Sequence, residues 1–75
     1  MPGGMLIVVR MRFGRVLRRL REEQGISQEE AAARCKLHRT YYRGIVRGVR
    51  TVSILNIAKI AKSFKMDLSK LFERI

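Results

Sequence analysis

Residues 27–48 read SQEEAAARCKLHRTYYRGIVRG, and the fold turns on this stretch. Ser27 followed three residues on by Glu30 is a capping box, and Glu29 and Glu30 sit where the positive end of a helix dipole favours acids. A helix is therefore expected over about Gln28–Cys35. After Lys36, Leu37 and His38, helical spacing resumes with Tyr42, Ile45 and Val46, and Gly48 closes the segment at a C′-like position. A connection of about three residues is too short for antiparallel packing and suits two helices that cross steeply. That is helix-turn-helix geometry.

Outward from this pair, Phe13, Val16, Leu17 and Leu20 form the i, i+3, i+4, i+7 stripe of an amphipathic helix over Met11–Gln24, with Gly25 as its stop. Downstream, Ser53 caps a fourth helix whose Ile54, Ile57, Ala58, Ala61 and Phe64 share a face, while Lys59 and Lys62 point away. Asp67 caps a short fifth helix burying Leu68, Leu71 and Phe72. Met1–Gly4 reads as a flexible leader, and Met5–Val9 fits either a short strand or an extension of the first helix. The expected fold is all-α, a compact five-helix bundle with a helix-turn-helix, residues 1–12 forming an N-terminal leader or arm and 13–75 the helix-turn-helix domain.

Seventy-five residues exclude a multi-domain enzyme, because a core of this size is near the lower limit at which burial offsets chain entropy. Seventeen Lys and Arg against six Asp and Glu give a net charge of +11, which repels itself unless the partner is polyanionic. The single cysteine, Cys35, forms no intramolecular disulfide and no CxxC pair is present, so packing must supply the stability. The longest apolar run, Met5–Val9, is far shorter than a membrane span. No membrane partner, cofactor, metal or small-molecule substrate is indicated.

Between Ala31 and Met66 there is no acid, and Arg39, Arg43 and Arg47 stand at i, i+4, i+8 along the third helix. In isolation they would repel one another; a row of phosphates relieves the repulsion and releases counterions. A recognition helix must enter a major groove about 12 Å wide with its early residues at the base edges. Arginine suits that task better than lysine, because its planar fork binds guanine O6 and N7 together. Arg39, at the helix start, is the first candidate for a base contact.

The segments LRRLREEQGISQEEAAARC, LHRTYYRGIVRG and TVSILNIAKIAKSFKMDLSKLF resemble the Cro/C1-type (XRE-like) helix-turn-helix transcriptional regulators over roughly Phe13–Phe72. The LHRT-Y and RGxRTVS features look most like the small controller proteins of restriction-modification systems. The resemblance implies a lambda-repressor-like DNA-binding domain over residues 13–75, in which Gln28 holds a phosphate and buttresses the recognition helix. It places Arg39, Thr40, Tyr41, Arg43 and Gly44 at groove-facing positions and gives Arg50 and Thr51, after the helix, a grip on the backbone. Arg47 joins them as the third arginine of the stripe. The chain departs from the pattern twice: Val46 stands where the family commonly has an acid, so Arg21 must turn to solvent, DNA phosphate or another acid such as Glu30, and Arg43 replaces a small polar residue.

His38, three residues from Cys35, lacks the third group that a nucleophile-and-base pair or a zinc site requires, so no enzyme activity is expected. Leu55 and Ile60, off the apolar stripe, together with Ile75, leave surface for a homodimer, whose two recognition helices would stand about 34 Å apart. The expected function is that of a dimeric, sequence-specific regulator of double-stranded DNA in the cytoplasm, at the nucleoid. Two rivals are an antitoxin-like module that masks an acidic partner, with DNA binding secondary, and a basic RNA-associated protein, against which only Tyr41 and Tyr42 offer stacking faces in the basic stretch.

Overall fold

Capping decides where the helices begin in a computed structural model that describes Pro2–Ile75, with side chains from Gly4 onward. Five helices follow in order among the described residues: α1 Pro2–Gln24, α2 Gln28–Cys35, α3 Arg39–Val46, α4 Ile54–Ser63 and α5 Leu68–Glu73. Ser27 Oγ accepts from Glu30 N at 3.1 Å, and Ser53 Oγ accepts from Asn56 N at 3.1 Å, as the sequence requires. Asp67 occupies the α5 N-cap without a side-chain bond to the backbone. Gly25 and Gly48 take positive φ just beyond α1 and α3, the left-handed geometry that ends a helix.

The first helix is longer than its apolar stripe predicts. It runs back from Met11 to Pro2, which settles Met5–Val9 as helix rather than strand and puts Pro2 at the first helical position, where a missing N–H costs nothing. Met1, the first residue of the expected leader, lies outside the described residues. Met5, Leu6, Ile7, Val8, Val9 and Met11 stand exposed along this extension.

Phe13, Val16, Leu17 and Leu20 of α1 close over Ala31, Ala32 and Cys35 of α2, Tyr42 and Ile45 of α3, Ile60, Ala61 and Phe64 of α4, and Leu71 of α5. The fourth helix corrects the expected face. Ile60 is fully buried, while Ile54 is 61% exposed, because the core takes Ile57, Ile60, Ala61 and Phe64, an equally regular i, i+3, i+4, i+7 set rotated from the predicted one. Phe72 is likewise largely exposed rather than buried; Leu71 alone is the fully enclosed residue of α5.

α1 and α3 meet at their backbones. A Cβ on Gly14 would overlap the Val46 carbonyl oxygen and fall 2.8 Å from the Val46 carbonyl carbon, so only glycine lets the two helices approach this closely. Arg21 finds one partner that the sequence did not suggest, while its Nε is buried with no acceptor among the described residues. Its Nη1 donates to the Ile26 carbonyl at 3.0 Å, while Glu30 pairs with Arg34 at 2.9 Å. The guanidinium lost its expected acid and took a backbone acceptor in the α1–α2 turn.

Candidate nucleic-acid interface

The turn between α2 and α3 fixes how α3 stands out of the bundle. Lys36 adopts a left-handed conformation (φ 58°, ψ 40°), its N–H reaching Ala33 O at 3.1 Å and the Leu37 N–H reaching Ala32 O at 3.0 Å, so the carbonyls at the end of α2 are satisfied and the chain reverses within a few residues. His38 then caps α3, its Nδ1 accepting from Thr40 N at 3.1 Å. Sequence reasoning placed His38 only at the helix start. Its capping role is hard to read from sequence because histidine is an uncommon N-cap.

From this start α3 buries Tyr42, Gly44 and Ile45 and exposes Arg39, Thr40, Arg43 and Arg47. The apolar side is fully engaged, so the basic side is the one presented outward. Thr40, Arg43, Gly44, Arg47, Val49 and Arg50 line one surface cleft of about 520 Å³. Three guanidinium-bearing residues and a hydroxyl around one concavity make a surface suited to phosphate oxygens and base edges.

Arg39, Gln28, Tyr41 and Thr51, also expected at the site, are not among the residues that line this cleft. Arg39 is exposed at the first position of α3, and Gln28 is half-buried at the first position of α2. Thr51 is exposed and lines, with Arg50, a separate apolar groove of about 530 Å³ that also takes in Leu6, Phe13, Val52 and Phe72. Tyr41 is half-buried and its hydroxyl is occupied: it donates to Thr51 O at 3.3 Å and accepts from Asn56 Nδ2 at 3.2 Å. Gly44 is buried and lies beneath the Arg50 side chain. Val49, not singled out from the sequence, lines the cleft because the turn after α3 folds back onto that helix, and Asn56, also not singled out, bonds the Tyr41 hydroxyl.

Electrostatics sharpen the same face. Among the described residues the ion pairs are Arg18–Glu22, Arg34–Glu30 and Arg74–Glu23, and none engages an arginine of α3. The Arg74 guanidinium bonded to Glu23 holds that carboxyl below its usual range. Behind α3, burial pushes the Tyr42 hydroxyl up to about 12 and raises the Cys35 thiol, whose Sγ lies 3.1 Å from Ser63 Oγ. These are packing groups, too enclosed for nucleophilic work. No helix of the described residues is long and apolar enough to cross a membrane, and no group of three or more metal-ligating side chains gathers among them.

A family model described as helix-turn-helix matches residues 17–71, from the second half of α1 into α5. The chain belongs to the helix-turn-helix family. It is 44% identical over 68 residues to the control protein C.MunI of a Mycoplasma species, covering 89% of this chain and 92% of that one. It is 41% identical over 66 residues to the control protein C.BamHI of Bacillus amyloliquefaciens, covering 87% and 82%. The crystal structure of the restriction-modification controller protein C.AhdI from Aeromonas hydrophila superposes with a TM-score of 0.82 at 40% identity, over 87% of this chain and 98% of that one. This XRE-type helix-turn-helix protein is thus a DNA-binding transcriptional regulator of the controller type. Its helix-turn-helix pair is α2 and α3.

Proposed function

We propose that this controller-type protein binds double-stranded DNA as a homodimer, with α3 in the major groove and the start of that helix reading bases. One observation carries the reading: Arg39, Thr40, Arg43, Arg47 and Arg50 are all exposed on or just beyond α3, and no acid of the chain pairs with them among the described residues. In this arrangement Arg39 and Thr40 take base edges, Arg43, Arg47 and Arg50 take phosphates or guanines, and Gln28 and Thr51 fix the register at either side. Tyr41 and Gly44 shape the surface from beneath. By likeness to the restriction-modification controller proteins, the regulated promoter serves genes of such a system, and the protein works in the cytoplasm without enzyme activity of its own.

Ile54, Leu55 and Phe72 remain exposed at 61%, 73% and 44%, an apolar surface on α4 and α5 that suits a two-fold contact. Ile60, expected from the sequence to share that role, is committed to the core. Residues 1–12 act as an arm appended to the domain of residues 13–75. Two measurements test the whole reading. Duplex affinity should fall by orders of magnitude between about 50 and 200 mM salt, and selection from a random duplex pool should enrich a palindrome with half-sites about one turn apart. Affinity indifferent to salt, or a selected sequence without symmetry, would overturn it.

A further inference from the structure

Gly44 sits in the interior of an eight-residue helix, where glycine is among the poorest choices for the backbone. Its φ is negative and helical, so no turn demands it. What demands it is Arg50. A Cβ at position 44 would overlap Arg50 Cγ and lie 3.4 Å from Arg50 Cβ and 3.5 Å from Cδ. Consecutive methylenes of Arg50 therefore lie along the bare backbone of α3 at this point. The turn brings the arginine there: Gly48 takes φ +77° and Val49 N–H closes on Gly44 O at 3.0 Å.

We propose that Gly44 is a positioning residue: its missing side chain is the seat for the Arg50 stem and aims that guanidinium into the cleft shared with Thr40, Arg43 and Arg47. The inference rests on the reading of α3 as the DNA-facing helix. Arg50 enters the complex with part of its rotamer freedom already spent, so less is lost on contact. A methyl group at position 44 meets a flexible side chain and no foreign backbone. The stem swings aside, the helix gains a better helix former, and the guanidinium leaves its place. Fold and recognition are thereby separable at one position.

The test compares Gly44→Ala, Arg50→Ala and the double variant by thermal melting and by gel shift on a duplex that the wild-type chain has enriched from a random pool. Gly44→Ala should melt at or above the wild-type temperature yet bind about ten-fold more weakly, close to Arg50→Ala, as loss of one well-placed arginine contact implies. The double variant should bind no more weakly than Arg50→Ala, since the seat matters only when the arginine is present. Wild-type affinity in Gly44→Ala, or a second full loss on adding it to Arg50→Ala, would overturn the proposal. If Gly44→Ala melts well below wild type, recovery of the melting temperature in the double variant supports the seat, and no recovery overturns it. Failure of the wild-type chain to bind any duplex is a distinct result that removes the reading of α3 itself.

Discussion

The Tyr41 hydroxyl donates to the Thr51 backbone carbonyl across 3.3 Å, tying the recognition helix to the turn that follows it. The same oxygen accepts from Asn56 Nδ2 at 3.2 Å, so one phenol joins α3, the turn and α4. An aromatic residue expected at the DNA surface thus also fastens the loop that carries Arg50.

Replacing Tyr41 with Phe keeps the ring and removes both bonds. Stability should fall by about 1 kcal/mol, the net worth of such hydrogen bonds, with faster amide exchange at residues 49–53. DNA affinity should weaken through Arg50 and Thr51. Unchanged exchange in the turn would show that the phenol does not anchor it.

Arg39→Ala should cost about 1–3 kcal/mol in discrimination between the selected site and a scrambled one, whereas Lys59→Ala, on the outer side of α4, should leave both affinities within about two-fold. Competition binding at one fixed salt concentration measures the contrast. Equal losses in the two variants would mean that charge alone governs binding.

Tyr42 links stability to alkaline pH. Its hydroxyl is buried with no hydrogen-bond partner among the described residues, and burial pushes it up to about 12 from an ordinary value near 10. The folded state therefore holds a proton that the unfolded chain releases first; stability is full below about pH 10 and falls by about 2–3 kcal/mol as pH rises toward 12. Denaturant titrations across that window should show the decline, and Tyr42→Phe should flatten it. Because the phenol oxygen is unsatisfied, the same variant should be about 1 kcal/mol more stable at neutral pH. A loss of stability would mean that the hydroxyl is satisfied in solution.

Gly14→Ala should behave oppositely to Gly44→Ala. Its new methyl would meet the Val46 carbonyl, which cannot swing away, so α1 and α3 must part at a cost of about 1–3 kcal/mol. Melting should drop by about 5 °C or more. A melting temperature at or above wild type, as helix propensity alone would give, refutes the backbone contact.

The Ser27 cap and the glycine at 48 marked the start of α2 and the end of α3 in the sequence, because caps act locally; the Glu30 side chain pairs with Arg34 and does not close the box back onto Ser27. The start of α1 was obscured by Pro2, Gly3 and Gly4, residues that normally discourage a helix yet stand within its first turn. In α4 two overlapping sets of apolar residues had helical spacing, and only packing against α2 and α5 chose between them. Arg21 found a carbonyl, an acceptor every residue possesses and none advertises. The exposed arginines were legible as a stripe. That Gly44 lies under Arg50 was not, since the contact depends on how sharply the intervening turn closes.

Three of the six acids, Glu22, Glu30 and Glu23, pair with Arg18, Arg34 and Arg74, and among the described residues none pairs with an arginine of α3, whose positive field stays intact. Such an imbalance acts at a distance, before the two molecules meet: the protein drifting toward a duplex is drawn in and turned as it approaches. Search speed is then set by the ions between them, and each rise in salinity slows arrival as well as loosening grip.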